Sequence, residues 1–265
     1  MTRELSSGVK KISFTDSGSG RVIMLIHGYL ETSEIWKSFA QKLATSFRVI
    51  AVDLPGHGGS DPGGEVQTME SMADALQSFL HDIGIEKVFL VGHSLGGYVA
   101  LAFAERHSGY LAGYALIHSH PFADTQAVVQ NRELQIRLVA EGRKEEFRSD
   151  SVMKMYAEDN IKGFQNELSE SLRISSTINE RAIIAVLKGM IQRPSRQSLV
   201  EEGGLPCLWI MGAKDKFINY REVSARIKMP GNSVTVILEN SGHMGFIEEE
   251  ERTVNILSEF ITRLK

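Results

Sequence analysis

Cysteine is almost absent from this 265-residue chain. Cys207 is the only one, so no disulfide can form within it, and its place in the apolar run Leu205 to Met211 marks it as a core thiol. Such usage fits a reducing compartment. Long hydrophobic runs are missing too. Val22 to Ile26 is far too short to cross a bilayer, and Met1 to Lys11 carries charges without the apolar segment of a secretory leader. A cytoplasmic protein with no membrane span is expected. There is no basic stripe: acids and bases are interspersed and the net charge is −4, which argues against a nucleic-acid partner. Repeats and low-complexity segments are also lacking. The length suits one large domain, or one domain carrying an insertion.

Short β-branched or aliphatic runs recur at Val22 to Ile26, Arg48 to Val52, Val88 to Val91, Tyr114 to Ile117, Cys207 to Met211 and Val234 to Leu238. Their continuous apolar character predicts strands buried on both faces. Amphipathic segments lie between them. Met72, Leu76, Phe79, Leu80 and Ile83 form one stripe at helical spacing, and Gly84 supplies a stop. A final helix is predicted from Glu248, with Val254, Leu257, Ile261 and Leu264 on one face. Acids open it and Arg263 and Lys265 close it, as the helix dipole favours. Alternating strands and helices imply a mainly parallel sheet covered on both faces. From about Pro121 to Ser198 the alternation stops. Only helical patterns remain there, at Arg132 to Glu141, Glu145 to Tyr156 and Glu180 to Ile191, and they read as a helical cap inserted over the site.

The stretch Val91-Gly92-His93-Ser94-Leu95-Gly96-Gly97 follows a strand and precedes a helix. A serine in G-x-S-x-G at that junction marks a nucleophile elbow. The turn exposes the serine, and the helix start aims backbone N–H groups at the reaction site. A serine hydroxyl needs a neighbouring base, itself oriented by an acid. Both follow in chain order: Asp215 at the tip of a loop after Cys207 to Met211, then His243 after Val234 to Leu238. All three stand just past strand ends, so they converge on one edge of a parallel sheet.

These motifs, with His27-Gly28 after one strand, Asp53-Leu54-Pro55-Gly56-His57-Gly58-Gly59-Ser60 after the next, Gly212-x-x-Asp215 and Gly242-His243, resemble the α/β-hydrolase family along nearly the whole chain. The resemblance implies an α/β-hydrolase fold: a mainly parallel central sheet flanked by helices, with a core of residues 1–120 and 199–265 and a cap of 121–198. It implies Ser94 as nucleophile, His243 as general base and then acid, and Asp215 as the orienting carboxylate. The oxyanion hole would use the backbone N–H groups of Leu95 and Tyr29. Haloalkane dehalogenases and epoxide hydrolases of this fold carry aspartate at the nucleophile position. Serine at position 94 points instead to carbonyl chemistry, with no cofactor or metal required and a small-molecule ester or thioester as substrate. Hydrolysis of a carbon–carbon bond in β-diketone-like or ring-cleavage products, and a small-molecule receptor on the same fold, are the rival readings.

Other residues have competing assignments. Asp124 follows Tyr114 to Ile117, where some relatives place the acid. His27 and His93 flank the site and are expected to hydrogen-bond locally, while Asp53 and His57 are expected to hold loops. His118 and His120 read as pocket lining in preference to a metal site. Trp36 and Phe39 read as core or pocket wall. Met153, Met155, Phe164 and Met190 form either an acyl pocket or the cap's own small core.

Overall fold

The computed structural model describes residues 2–6 and 11–264. One sheet of eight strands organises the chain. The strands are β1 (Thr2–Ser6), β2 (Lys11–Ser17), β3 (Val22–Ile26), β4 (Arg48–Val52), β5 (Val88–His93), β6 (Leu111–Ile117), β7 (Cys207–Gly212) and β8 (Val234–Leu238). Their order is β1-β2-β4-β3-β5-β6-β7-β8. β1 and β2 run antiparallel to their neighbours, and the other six are parallel. All six strands predicted from continuous apolar runs are the parallel ones. β2 was not predicted, because its sequence KISFTDS is polar toward its C-terminal end, where the strand is less buried.

Side chains alternate across the parallel strands and build two hydrophobic layers. Ile23 and Leu25 pack on one face with Val49, Phe89 and Ile117, against helices α1 (Lys37–Leu43) and, near the C-terminus, residues of 250–263. Met24 and Ile26 face the other layer, covered by α2 (Met69–Asp82) and α3 (Leu95–His107). The α2 stripe predicted from Met72 is buried as expected, and Thr68 caps the helix by accepting the Ser71 N–H. One expectation needs correction: β8 is not buried on both faces. It forms the sheet edge, and Val234 is 44% exposed.

Between β6 and β7 the chain forms α4 (Gln126–Ala140), α5 (Glu145–Met155), α6 (Gln165–Thr177), α7 (Glu180–Gln192) and α8 (Gln197–Glu202), with no strand. Three of these answer the predicted helical patterns; α6 and α8 were not foreseen. After β7 come α9 (Tyr220–Arg226), α10 (Gly245–Glu248) and α11 (Glu250–Arg263). The predicted last helix is therefore interrupted. Glu249 adopts φ −128° and ψ 49°, outside helical geometry, and separates α10 from α11.

Candidate active site

Ser94 sits between β5 and α3 with φ 48° and ψ −110°, a conformation that costs a non-glycine residue free energy and is held by its surroundings. The glycines around it permit the turn. A β-carbon on Gly96 would lie 2.2 Å from the Ile26 carbonyl oxygen, and one on Gly92 would lie 2.3 Å from that of Gly96. The Ser94 N–H donates to Ile117 O at 3.0 Å, and the Ser119 hydroxyl donates to Ser94 O at 2.8 Å. The elbow is thus tied to β6 on both sides.

Asp215 lies in the loop after β7 and His243 in the loop after β8. His243 Nδ1 is 2.7 Å from Asp215 Oδ2. The other carboxylate oxygen accepts the backbone N–H groups of Phe217 at 2.8 Å and Ile218 at 3.0 Å. Burial alone would raise the Asp215 carboxyl, but the charge and hydrogen bonds of His243 and His118 overcome it and hold the group well below the usual carboxylate range. Burial pulls the His243 imidazole down, and the adjacent Asp215 charge outweighs that and leaves it above its ordinary value. The free edge of His243 and Ser94 both open into a cavity of about 420 Å³. The His243 backbone N–H also donates to Met155 O at 2.6 Å, so the end of α5 holds the His243 loop.

His118 was expected to line the pocket. It does not; its side chain is fully buried behind Asp215. Gly245 donates its N–H to His118 Nε2 at 3.1 Å, which leaves the ring proton on Nδ1, 3.3 Å from Asp215 Oδ2. The Gly212 N–H also approaches that Nδ1, at 3.2 Å. Either tautomer sets one ring N–H against a backbone N–H, that of Gly212 at Nδ1 or that of Gly245 at Nε2, but only the Nδ1–H form offers the carboxylate a proton, so it is favoured. Asp215 thereby receives two imidazoles. Burial pushes the His118 pKa down to about 4, which keeps the ring neutral. His118, Asp215 and His243 converge within 4.8 Å, close enough for a metal's ligands. Their facing atoms are already at hydrogen-bond distances, and a cation would have to displace those bonds.

His120 does face the cavity, as do Tyr29, Met155 and Met190. The Tyr29 hydroxyl donates to Gln135 Oε1 of α4 at 3.2 Å. Met153 is 42% exposed, and Phe164 packs against the sheet layer of Ile23 and Leu25, so neither serves a pocket. Trp36 and Phe39 are core: Trp36 lies 4.2 Å from the Phe246 ring. Asp124 is not the partner of His243. It pairs with Arg132 at 2.7 Å and with Arg193 at 2.7 Å. His27 binds locally, accepting the Leu54 N–H at Nε2 and donating from Nδ1 to Gly28 O. Asp53 holds its loop by accepting from Ser33 and Gly59.

Sequence reasoning missed Glu31. It is buried, accepts the Gly28 N–H, and faces His93 Nδ1 at 2.9 Å. A glutamate three residues after the His27-Gly28 pair that follows β3 carries no signal of burial until its histidine partner, 62 positions away, is placed beside it. Arg132 and Arg226 also reach the cavity; in sequence they look like ordinary helix-surface charges.

Comparison with known proteins agrees with this architecture. A thermophilic esterase from Thermogutta terrifontis, in a malate-bound structure, superposes with a TM-score of 0.93 at 26% identity, covering 100% of this chain and 99% of that one. An uncharacterized protein of Mycobacterium tuberculosis is 29% identical over 94% of this chain and 77% of its own length. A pimeloyl-[acyl-carrier protein] methyl ester esterase of Photorhabdus laumondii is 24% identical over 94% of this chain and 95% of its own. Residues 21–250 match the alpha/beta hydrolase fold family. With its mainly parallel sheet and the Ser94 elbow, the chain belongs to the alpha/beta hydrolase fold family.

Proposed function

We propose that this protein hydrolyses a carboxylic ester or thioester through an acyl-enzyme on Ser94. The observation that carries the reading is the 2.7 Å contact of Asp215 with His243, whose ring shares one cavity with Ser94. In this mechanism His243 takes the Ser94 proton as the hydroxyl oxygen attacks the carbonyl carbon. The Tyr29 and Leu95 N–H groups stabilise the oxyanion, each donor worth about 3 kcal/mol of barrier. His243 then protonates the departing alcohol or thiol. A water molecule, deprotonated by the same imidazole, releases the acid and restores Ser94. Asp215 stabilises the imidazolium formed in each half-reaction. The esterase relatives support the choice of ester over other carbonyl substrates.

Residues 121–198 act as the cap in this reading, with 1–120 and 199–265 as the core. Arg132 and Gln135 of α4, Met155 of α5 and Met190 of α7 all line the cavity that holds Ser94. Among the described residues no helix is long and apolar enough to cross a membrane. The single buried Cys207 supports a reducing, cytoplasmic setting.

A 4-nitrophenyl ester chain-length series, run beside Ser94→Ala and paired with fluorophosphonate labelling, tests the proposal. Turnover and labelling should both vanish in the variant. Retained esterase activity in Ser94→Ala would overturn it. Labelling of Ser94 without ester turnover would shift the reading to carbon–carbon substrates.

A further inference from the structure

Arg132 and Arg226 line the cavity, and a third guanidinium, Arg193, lies behind the lining against Tyr98. Among the described residues of the lining, Asp124 is the only acid within ion-pair distance of a guanidinium, and it serves two. Arg132 Nε lies 2.7 Å from Asp124 Oδ2, and Arg193 Nη1 lies 2.7 Å from Oδ1. The Asp124 and Arg193 side chains are each 2% exposed and that of Arg132 is 15% exposed, so two sheltered cations share one anion. Arg193 is also short of acceptors: its buried Nε and Nη2 have no hydrogen-bond partner. Its guanidinium stacks on Tyr98, 3.8 Å from the ring centroid, and Tyr98 lines the cavity. Across from these, Arg226 stacks on Phe122 at 3.7 Å, and both of those residues line the cavity as well. The remaining acid of the lining is Glu222, an exposed side chain that accepts from Asn219. The lining itself holds two guanidiniums and two carboxylates; the excess positive charge sits in the sheltered cluster at its wall, where Arg132 and Arg193 share Asp124.

An unbalanced, sheltered positive charge is costly unless an anion completes it. Stacking on Phe122 leaves the in-plane N–H fork of Arg226 free for a carboxylate, while Arg132, held by Asp124 through Nε and Nη2, has Nη1 to offer. We infer that the cavity selects esters bearing a second, free carboxylate, anchored by Arg132 and Arg226 with Arg193 behind them. This inference rests on the reading of Ser94 as an ester-cleaving nucleophile and names the substrate class of that site. The reacting end and the anchor lie within reach of each other, because Tyr29 is bonded to Gln135 on α4, the helix that carries Arg132. His120 lies among the same cations. Burial, followed by the field of Arg193, pushes its pKa down to about 3, so it stays neutral and leaves the anchoring to the arginines.

The test compares matched pairs of substrates: mono-4-nitrophenyl adipate against 4-nitrophenyl hexanoate, and 4-butyryloxybenzoate against phenyl butyrate. The first pair places the carboxylate on the acyl side, the second on the alcohol side. The anionic member of at least one pair should be favoured in kcat/KM by about 10-fold or more, as expected where a site is built to pair a polar group. Arg132→Gln should abolish that preference, read as the ratio of kcat/KM within each pair. Arg226→Gln, at an exposed position with little bearing on folding, should reduce it. Calorimetry of adipate binding to Ser94→Ala reads the anchor without turnover, and adding Arg132→Gln should weaken that binding by a similar factor. No preference in either pair, or one that survives both arginine variants, would overturn the anchor while leaving the esterase reading intact. Failure of every ester together with unlabelled Ser94 would instead defeat the function proposed for the site.

Discussion

His93 bridges Glu31 and the backbone of His243 beneath the loops that carry Ser94 and His243. His93 Nε2 lies 2.9 Å from the His243 carbonyl oxygen, and Nδ1 lies 2.9 Å from Glu31 Oε2. Glu31 Oε2 also accepts the Gly28 N–H, next to Tyr29. The couple therefore braces the His243 loop and the Tyr29 loop together.

Glu31→Gln should lower kcat by about 10-fold, on the order of 1.4 kcal/mol, with little change in KM, because the pair touches the loops and not the substrate. Glu31 also adds to the field that raises His243, so the acid limb of the rate profile should move to lower pH. An unaltered kcat and an unmoved limb would show the brace to be a packing feature only.

The pH dependence follows from His243 and Asp215. In the proposed mechanism attack requires neutral His243, whose imidazole is held above its ordinary value of 6.5. Activity should therefore rise with pH through a midpoint above 6.5 and be lost below it. Asp215→Asn removes the charge that outweighs burial. Its residual activity should be about 10³- to 10⁴-fold lower, with the limb displaced below 6.5. A limb that stays in place in the variant would mean another group sets it.

His118 contributes to the same carboxylate. His118→Asn keeps a residue tolerant of φ 46° but loses the long ring that joins Asp215 to Gly245. The expected result is a drop of about 3- to 10-fold in kcat, on the scale of one modest hydrogen bond, with fluorophosphonate labelling of Ser94 slowed in parallel. Normal labelling would place His118 in the fold alone.

The elbow predicts a folding defect. Gly96→Ala sets a β-carbon 2.2 Å from the Ile26 carbonyl, a backbone atom that cannot swing away. Urea unfolding should show a loss of at least about 2 kcal/mol. A variant of native stability would mean that β3 and α3 separate more easily than their contact suggests.

The strands that position the site were readable because they are parallel and covered. A strand packed on both faces must be apolar throughout, and β3 and β4 begin and end where their apolar runs do. β2 escaped notice because part of it faces solvent, and β8 was read as more buried than an edge strand can be. The break at Glu249 left no mark in the helical stripe, since it depends on α10 turning under the sheet, where Phe246 meets Trp36.

By itself, the sequence determined where local geometry was forced. Glycines at 92 and 96 permit the turn that exposes Ser94, and Asp215 and His243 follow strands whose apolar runs fix their ends. Those are short-range constraints written in neighbouring residues. Only the tertiary structure decided which charges meet. Glu31 finds His93 across 62 positions, His118 reaches Asp215 across 97, and Asp124 is claimed by Arg132 and Arg193. A charged side chain in sequence is compatible with solvent almost anywhere. Its partner is selected by the desolvation that packing imposes, and that is settled only when distant elements close around it.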